Sequence, residues 1–327
     1  MRGGGHRLPL LALREGHMFG LRAIKDSSEH TGSYYAASRS PAFEYPPLVD
    51  AIQCDVVVVG GGFSGVNTAV ELAERGYEVV LIEANRVGWG ASGRNGGQII
   101  GGIGHTPERF KKSIGEEGIN TIYQMGIEAR DIIKERVETY SIDCDLKWGY
   151  CDVALKPRHM KDFAEWRDWE KTIGNPHPYT LLDASELKDF VNSDRYLGGL
   201  HNTANGHIHP LNLCIGEAAA AVRRGARIFE QTRALEIMPG DRPVVKTEHG
   251  RVTAKHVVLA VNAYMGKVLP QVPALDVVYE SKGALERRAR RPARAARAAG
   301  LLYTSDAGAA GVGVDVGGRR ISKKKGG

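Results

Sequence analysis

The sequence predicts an α/β fold in which a parallel-stranded domain is interrupted by an inserted α+β domain. Three observations predict it. A valine-rich strand, a glycine-rich turn, an amphipathic helix and a second apolar strand follow one another within residues 55–83, which is half of a βαβ unit. A mixed pattern of helices and strands occupies residues 106–205. One more helix and a series of short strands then return the chain to the first sheet. The length, 327 residues, suits about two domains.

Each element has a local reason. Residues 1–54 read as an N-terminal extension and arm: the start has no periodicity, and Pro46-Pro47 favours extended backbone. Asp55–Val59 holds four consecutive valines, the composition of a strand buried on both faces. Val66–Arg75 places Val66, Ala69, Val70 and Ala73 on one helical face, and Gly76 ends that helix. Glu78–Glu83 is the second strand, and Asn85–Gly104 a second glycine-rich stretch. Thr106-Pro107 starts a helix. Gly118–Tyr140 is a long helix with Ile122, Ala129, Ile133, Val137 and Tyr140 on one face. Residues 145–155 are a strand, and Pro157–Ile173 a helix whose Trp166 and Trp169 serve packing. Asp183-x-x-Glu186 has the pattern of a capping box. His209-Pro210 opens a helix that runs to Arg224. Strands follow at 226–230 and 233–238, then a hairpin turning at His249-Gly250 and a last strand, His256–Val261.

Charge excludes some function classes. Lys282–Gly327 carries 12 basic and 3 acidic residues, so the overall +6 belongs to the tail and the remaining body is slightly acidic. The body therefore has no nucleic-acid footprint. No apolar run is long enough for a membrane span, so no membrane partner is expected. The four cysteines lie far apart with no C-x-x-C pair, which argues against a zinc site and suits reduced, cytoplasmic thiols. His207 and His209 are two apart but have no third ligand nearby in sequence, so no metal is expected there.

The chemistry lies in two loops. Gly60-Gly61-Gly62-Phe63-Ser64-Gly65 is a G-x-G-x-x-G sequence between a strand and a helix. Its first glycine permits the tight turn, the second lets backbone approach a pyrophosphate, and the third lets the helix pack close to the strand. Glu83 ends the next strand, where a carboxylate can accept hydrogen bonds from an adenosine ribose and disfavours a 2′-phosphate. That leaves NAD or FAD. The second loop, Gly88 to Gln98, supplies small residues, exposed amides, a Ser hydroxyl and an Arg directly after the second strand. A second cradle suits the longer FAD, with its ribityl chain and isoalloxazine.

Gly60–Gly65, Glu83-Ala84 and Gly90–Gly97 together resemble the D-amino-acid-oxidase-like family of FAD-dependent amine oxidoreductases. The same resemblance extends to Ser33–Ser38, Ile142–Asp145, Ser193–Tyr196, Gly206–Leu213 and Asn262–Tyr264, in family order from about Ser33 to Gln271. It implies a Rossmann-like FAD-binding domain over 55–105 and 206–271, with the substrate domain mainly in 106–205. It implies that Gly60, Gly62, Phe63, Ser64 and Gly65 hold the FAD pyrophosphate, and Glu83 and Ala84 the adenosine ribose. Ala91, Ser92, Gly93, Arg94, Asn95, Gly96 and Gly97 would line the path toward the flavin. Ala234 would meet adenine through its backbone, and Asn262 would end the returning strand. The implied reaction is oxidation of an amine C–N bond, with a small-molecule amine from polyamine catabolism and dioxygen as partners. Another amine or amino-acid oxidase of the family and a non-catalytic fragment are the alternatives. No acid or base residue is singled out.

After Gln271 the family pattern stops in this reading, so relative to the family the protein is truncated at its C-terminal end. Residues 272–327 therefore read as a non-family tail expected to be disordered; its stretch 284–327 is rich in Arg, Ala and Gly and cannot bury enough apolar surface to offset ordering.

Overall fold

The computed structural model describes residues 27–41, 43–101 and 110–262. The helix start at Thr106-Pro107 and the tail lie outside the described residues.

β1 (Ala51–Val59) is central to the first sheet. It pairs in parallel with β2 (Val79–Ile82) on one side and with β10 (Arg251–Leu259) on the other. β2 continues in parallel to β7 (Arg227–Phe229). β10 continues antiparallel to β9 (Val244–Lys246), and β9 to β8 (Glu236–Met238). The register sets Val59 beside both Ile82 and Leu259, and Ile82 beside Phe229. The carboxyl ends of these parallel strands are therefore level, and the loops that leave them share one edge. In open α/β sheets that edge is where ligands bind.

Both faces of the sheet are covered, which is why the strands are continuous valine runs rather than alternating ones. On one face Val56, Val58 and Leu81 pack under α2 (Phe63–Glu74) and α5 (Pro210–Arg223). Small residues, Ala69 and Ala73 on α2 and Ala218 and Ala221 on α5, let the helices approach closely. On the other face Val57, Val59, Val80 and Ile82 meet Ala234, Ile237, Val245 and Val252.

The second sheet is built around β6 (Gly198–His207). β4 (Lys147–Val153) lies antiparallel on one side, and β5 (Tyr179–Asp183) and β3 (Gln98–Ile99) on the other. The sequence does not announce β6. Its Gly-Gly-Leu-His-Asn-Thr-Ala-Asn-Gly-His has a single β-branched residue, and pairing on both edges overrides that poor propensity.

α3 (Lys111–Tyr140) starts before the expected Gly118, but Gly115 at φ +68°, ψ −177° breaks it. Its buried face also differs from expectation. Ala129 is exposed, while Arg130 and Arg136 are buried on the seam with Ile119, Gly126 and Tyr140. α3 uses two arginines to bond the sheet and α2: Arg130 Nη1 donates to Ala204 O at 3.1 Å, and Arg136 pairs with Glu71. Periodicity counts apolar residues and cannot find such positions. On α4 (Pro157–Thr172) the tryptophans pack as expected, Trp166 against Tyr179 and Trp169 against Tyr123.

The capping box forms. Asp183 N–H donates to Glu186 Oε2 and Glu186 N–H to Asp183 Oδ1, both at 2.9 Å, and it caps a 3₁₀ turn, Glu186–Asp189. The hairpin turn is closed by Thr247 and Gly250. Inside the arm a one-turn helix, α1 (Tyr34–Ala37), is capped by Ser33. Among the described residues no helix is long and apolar enough to cross a membrane, and no group of His, Cys, Asp and Glu could hold a metal ion.

Candidate cofactor site

The turn after β1 can be made only by glycine at two positions. Gly60 has φ +110°, and a Cβ there would lie 2.4 Å from Ala260 O. A Cβ at Gly65 would lie 1.8 Å from Gly60 O. The turn therefore wedges against the residue that follows β10 and lets α2 start directly behind it. Gly62 stands against the second loop. A Cβ there would stand 2.9 Å from Ser92 Oγ, the hydroxyl that accepts the Phe63 N–H at 2.9 Å. Gly88 N–H also donates to Gly61 O at 2.8 Å. The two glycine-rich loops are thus locked into one cradle over the N-terminus of α2.

Glu83 sits at the edge of that cradle. Its carboxylate accepts from Gly61 N–H at 2.6 Å and from Asn85 N–H at 2.8 Å. Burial, with Glu230 nearby, pushes its carboxyl above the usual range, and the two amides pull the other way. A carboxylate has about four acceptor sites, so two remain for hydroxyl donors.

The second loop is shaped by its own side chains. A 3₁₀ turn spans Ala91–Gly93, with Ser92 and Gly93 buried. Asn95 is spent inside the loop: Nδ2 donates to Ser92 O at 3.0 Å and Oδ1 accepts from Gly97 N–H at 2.8 Å. Gly97, at φ +70°, lies against Ile208, whose N–H donates to Gly97 O at 2.8 Å. Arg94 donates from Nε to Trp89 O at 2.7 Å and lays its guanidinium 4.2 Å from the Trp89 ring centre. Gly96 is exposed and Ala84 half-buried. Ala234 is buried against the sheet, two residues past Thr232, whose N–H donates to Glu83 O at 2.8 Å. Asn262 is exposed, with φ +50°, just past the end of β10.

Glu230 was not singled out from the sequence, and His209, read there as a helix opening, takes on more than that. Glu230, at the end of β7, is 3% exposed and accepts from Val87 N–H at 2.7 Å and Arg86 Nη1 at 2.8 Å. His209 caps α5: its Nδ1 accepts from Asn212 N–H at 3.1 Å, which leaves Nε2–H to donate to Ser38 Oγ at 3.2 Å. Asn212 Oδ1 accepts from Ser40 N–H at 2.9 Å. This explains why Ser33–Ser38 and Gly206–Leu213 belong to one pattern, since they touch. The available signal was a His-Pro pair with Asn three residues after the His, the spacing of an N-cap.

Parallel strand ends, a glycine turn and an acidic end to the neighbouring strand define a dinucleotide-binding enzyme fold. The chain matches the FAD dependent oxidoreductase (DAO) family over residues 55–309, and it belongs to that family. The match runs past Gln271, so the family pattern extends further than the motifs alone suggested. The chain is 43% identical over 247 residues to gamma-glutamylputrescine oxidoreductase from Escherichia coli, covering 75% of this chain and 58% of that protein. It is 43% identical over 245 residues to the probable oxidoreductase OrdL of Haemophilus influenzae, covering 74% and 56%. The chain thus spans under two thirds of the length of these relatives. In fold it is similar to an L-amino acid deaminase from Proteus myxofaciens (TM-score 0.60, 23% identity, 73% of this chain and 52% of that one). It is also similar to a glycine oxidase from Geobacillus kaustophilus (TM-score 0.56, 23% identity, 67% and 58%).

FAD is the cofactor of the family, and the donor set is of the right chemistry for it. The backbone passes at Gly60 and Gly65 where no side chain could stand. The positive end of the α2 dipole faces this turn, which favours an anion. Glu83 keeps acceptor capacity for a ribose.

Proposed function

We propose that the protein is an amine oxidoreductase of the gamma-glutamylputrescine oxidoreductase type, working in the cytoplasm in polyamine catabolism. The observation that carries this reading is the 43% identity to that enzyme over three quarters of the chain. FAD, held by the two glycine-rich loops, would supply a hydride acceptor for the carbon next to the amine nitrogen. The amine would become an imine that water converts to an aldehyde with release of ammonia, and dioxygen would take the two electrons to become hydrogen peroxide.

The protein's own residues bind and orient. Gly60, Gly62, Phe63, Ser64 and Gly65 pass the diphosphate along backbone, while Glu83 and Ala84 receive the ribose. Ala91, Ser92, Gly93, Arg94, Asn95, Gly96 and Gly97 carry the path onward, Ala234 meets adenine, and Asn262 ends the strand beside the cradle. Residues 55–105 and 206–271 form the FAD domain, and 106–205 mainly the substrate domain. The second sheet supports that division through β4, β5 and most of β6, while its short β3 (Gln98–Ile99) comes from the first FAD-domain span. The test is purification followed by an absorption spectrum and oxygen uptake with a panel of gamma-glutamylated and free diamines and amino acids. A bound flavin with turnover of gamma-glutamylputrescine is expected. Turnover of amino acids alone would move the protein to another branch of the family, and a colourless protein that takes up no added FAD would overturn the reading.

A further inference from the structure

Three consecutive arm residues are fastened to the second cofactor loop by side chains. Ser27 N–H donates to Asn85 Oδ1 at 2.7 Å. Arg86 Nε donates to Ser28 O at 2.6 Å. Trp89 Nε1 donates to Glu29 O at 3.1 Å. Before Ala51, where β1 begins, the described arm makes no strand pairing with either sheet, so its attachment here rests on these bonds and on Gln231 Nε2, which donates to Ser27 O at 3.2 Å.

Trp89 stands at the centre of this arrangement. It is 7% exposed, and its N–H closes a turn onto Arg86 O at 2.9 Å. Its carbonyl takes Arg94 Nε and its ring lies under the guanidinium. Arg94 is thereby held at two points, although it is itself exposed. Its Nη groups make no bond among the described residues. An exposed arginine ordinarily samples many rotamers, and a planar guanidinium that is already stacked loses less freedom when it meets a phosphate. Arg94 also follows directly on the 3₁₀ turn whose Ser92 hydroxyl caps α2. Its cation is thereby tied to the loop that also brings Ser92 Oγ to the start of α2.

We infer that Trp89 is a positioning residue: seated by the arm through Glu29, it holds Arg94 in place for the diphosphate of the cofactor. This rests on the reading that the cradle takes FAD. The contribution is specific to the diphosphate, because Arg94 is the group that Trp89 fixes and the ribose falls to Glu83.

The test titrates the full-length protein, stripped of flavin, with FAD, ADP-ribose and AMP. Arg94→Ala and Trp89→Leu are each expected to weaken FAD and ADP-ribose about tenfold, the scale of one charge-assisted hydrogen bond, and to leave AMP within about twofold. The double variant is expected to lose no more than either single one. Trp89→Phe keeps an aromatic face but loses the bond to Glu29, and is expected to fall between wild type and Arg94→Ala. Should Trp89→Leu not fold, Trp89→Phe decides: it must weaken ADP-ribose in the wild-type background and have no effect in the Arg94→Ala background. An equal loss of AMP affinity, additive losses, or unchanged ADP-ribose binding in Arg94→Ala would overturn the inference while FAD binding by the wild type stands. A wild-type protein that binds none of the three overturns the cofactor reading as well.

Discussion

Glu230 offers the most direct test of how the site is held together. It is a carboxylate 3% exposed at the end of β7, facing Val87 N–H at 2.7 Å, Arg86 Nη1 at 2.8 Å and Tyr45 N–H at 3.3 Å. Glu230→Ala leaves a buried amide without an acceptor, which costs about 1–3 kcal/mol. It also takes from Arg86 its nearer carboxylate, and breaking a fully buried pair from one side costs about 3–5 kcal/mol. Arg86 keeps Glu44 at 3.6 Å and 16% side-chain exposure, so its share falls below that range to about 2 kcal/mol; with about 1 kcal/mol for the amide the total is about 3 kcal/mol. For a body of this size that is a fall in Tm of roughly 6–12 °C. Glu230→Gln keeps an acceptor for Val87 and should lose about half as much. The assay is urea unfolding of the full-length protein followed by circular dichroism, with the same substitution repeated in an Arg86→Met background. There the cost of Glu230→Ala should shrink, because the charge it would strand is gone. A loss under about 0.5 kcal/mol in the wild-type background would refute the reasoning and make Glu230 an incidental neighbour of the loop.

Gly65→Ala forces a methyl into Gly60 O, so α2 must move away from the turn; insoluble or flavin-free protein is expected, and a stable variant with stoichiometric flavin would contradict the geometry. Glu83→Ala removes an acceptor for two amides as well as the one we propose for the ribose, so FAD should weaken by more than about tenfold in a flavin titration, with Glu83→Gln in between. Asp152 has its carboxyl pushed up to about 6 by burial. The native state therefore holds this proton more tightly than the unfolded chain, and stability falls as pH rises from about 4 through 6. Asp152→Asn should remove that loss and raise stability at pH 7 by up to about 2–3 kcal/mol, and equal pH profiles of the two proteins between pH 4 and 7 would show that Asp152 is solvated.

Much of this architecture could be read directly from the residues in order. Four valines flanked by G-x-G-x-x-G have one physical solution, a strand buried on both faces that turns sharply into a helix. Gly60 and Gly65 then prove to be places where any side chain would collide with backbone. Glu83 could be read from its place at the end of the next strand. The capping box at Asp183 and Glu186 was equally local, because both partners lie within one turn. These features depend on residues close in sequence, and composition and spacing carry that information.

What the sequence could not reveal depends on partners brought from far away. β6 has almost no strand propensity, and only neighbours on both edges make it a strand. Ala129 looked like a core residue and is exposed, while Arg130 and Arg136 are buried. Whether an arginine can be buried is set by the acceptors that other elements supply, here Ala204 O on β6 and Glu71 on α2. The same reason governs the cofactor cradle. Motif and spacing identified both loops, but that Ser92 caps α2, that Glu230 holds Val87, and that Ser27, Ser28 and Glu29 fasten the loop from the arm follows from where distant parts of the protein meet. A hydrogen bond is decided by position within about 3 Å, and only the packed tertiary structure brings residues far apart in sequence to that distance.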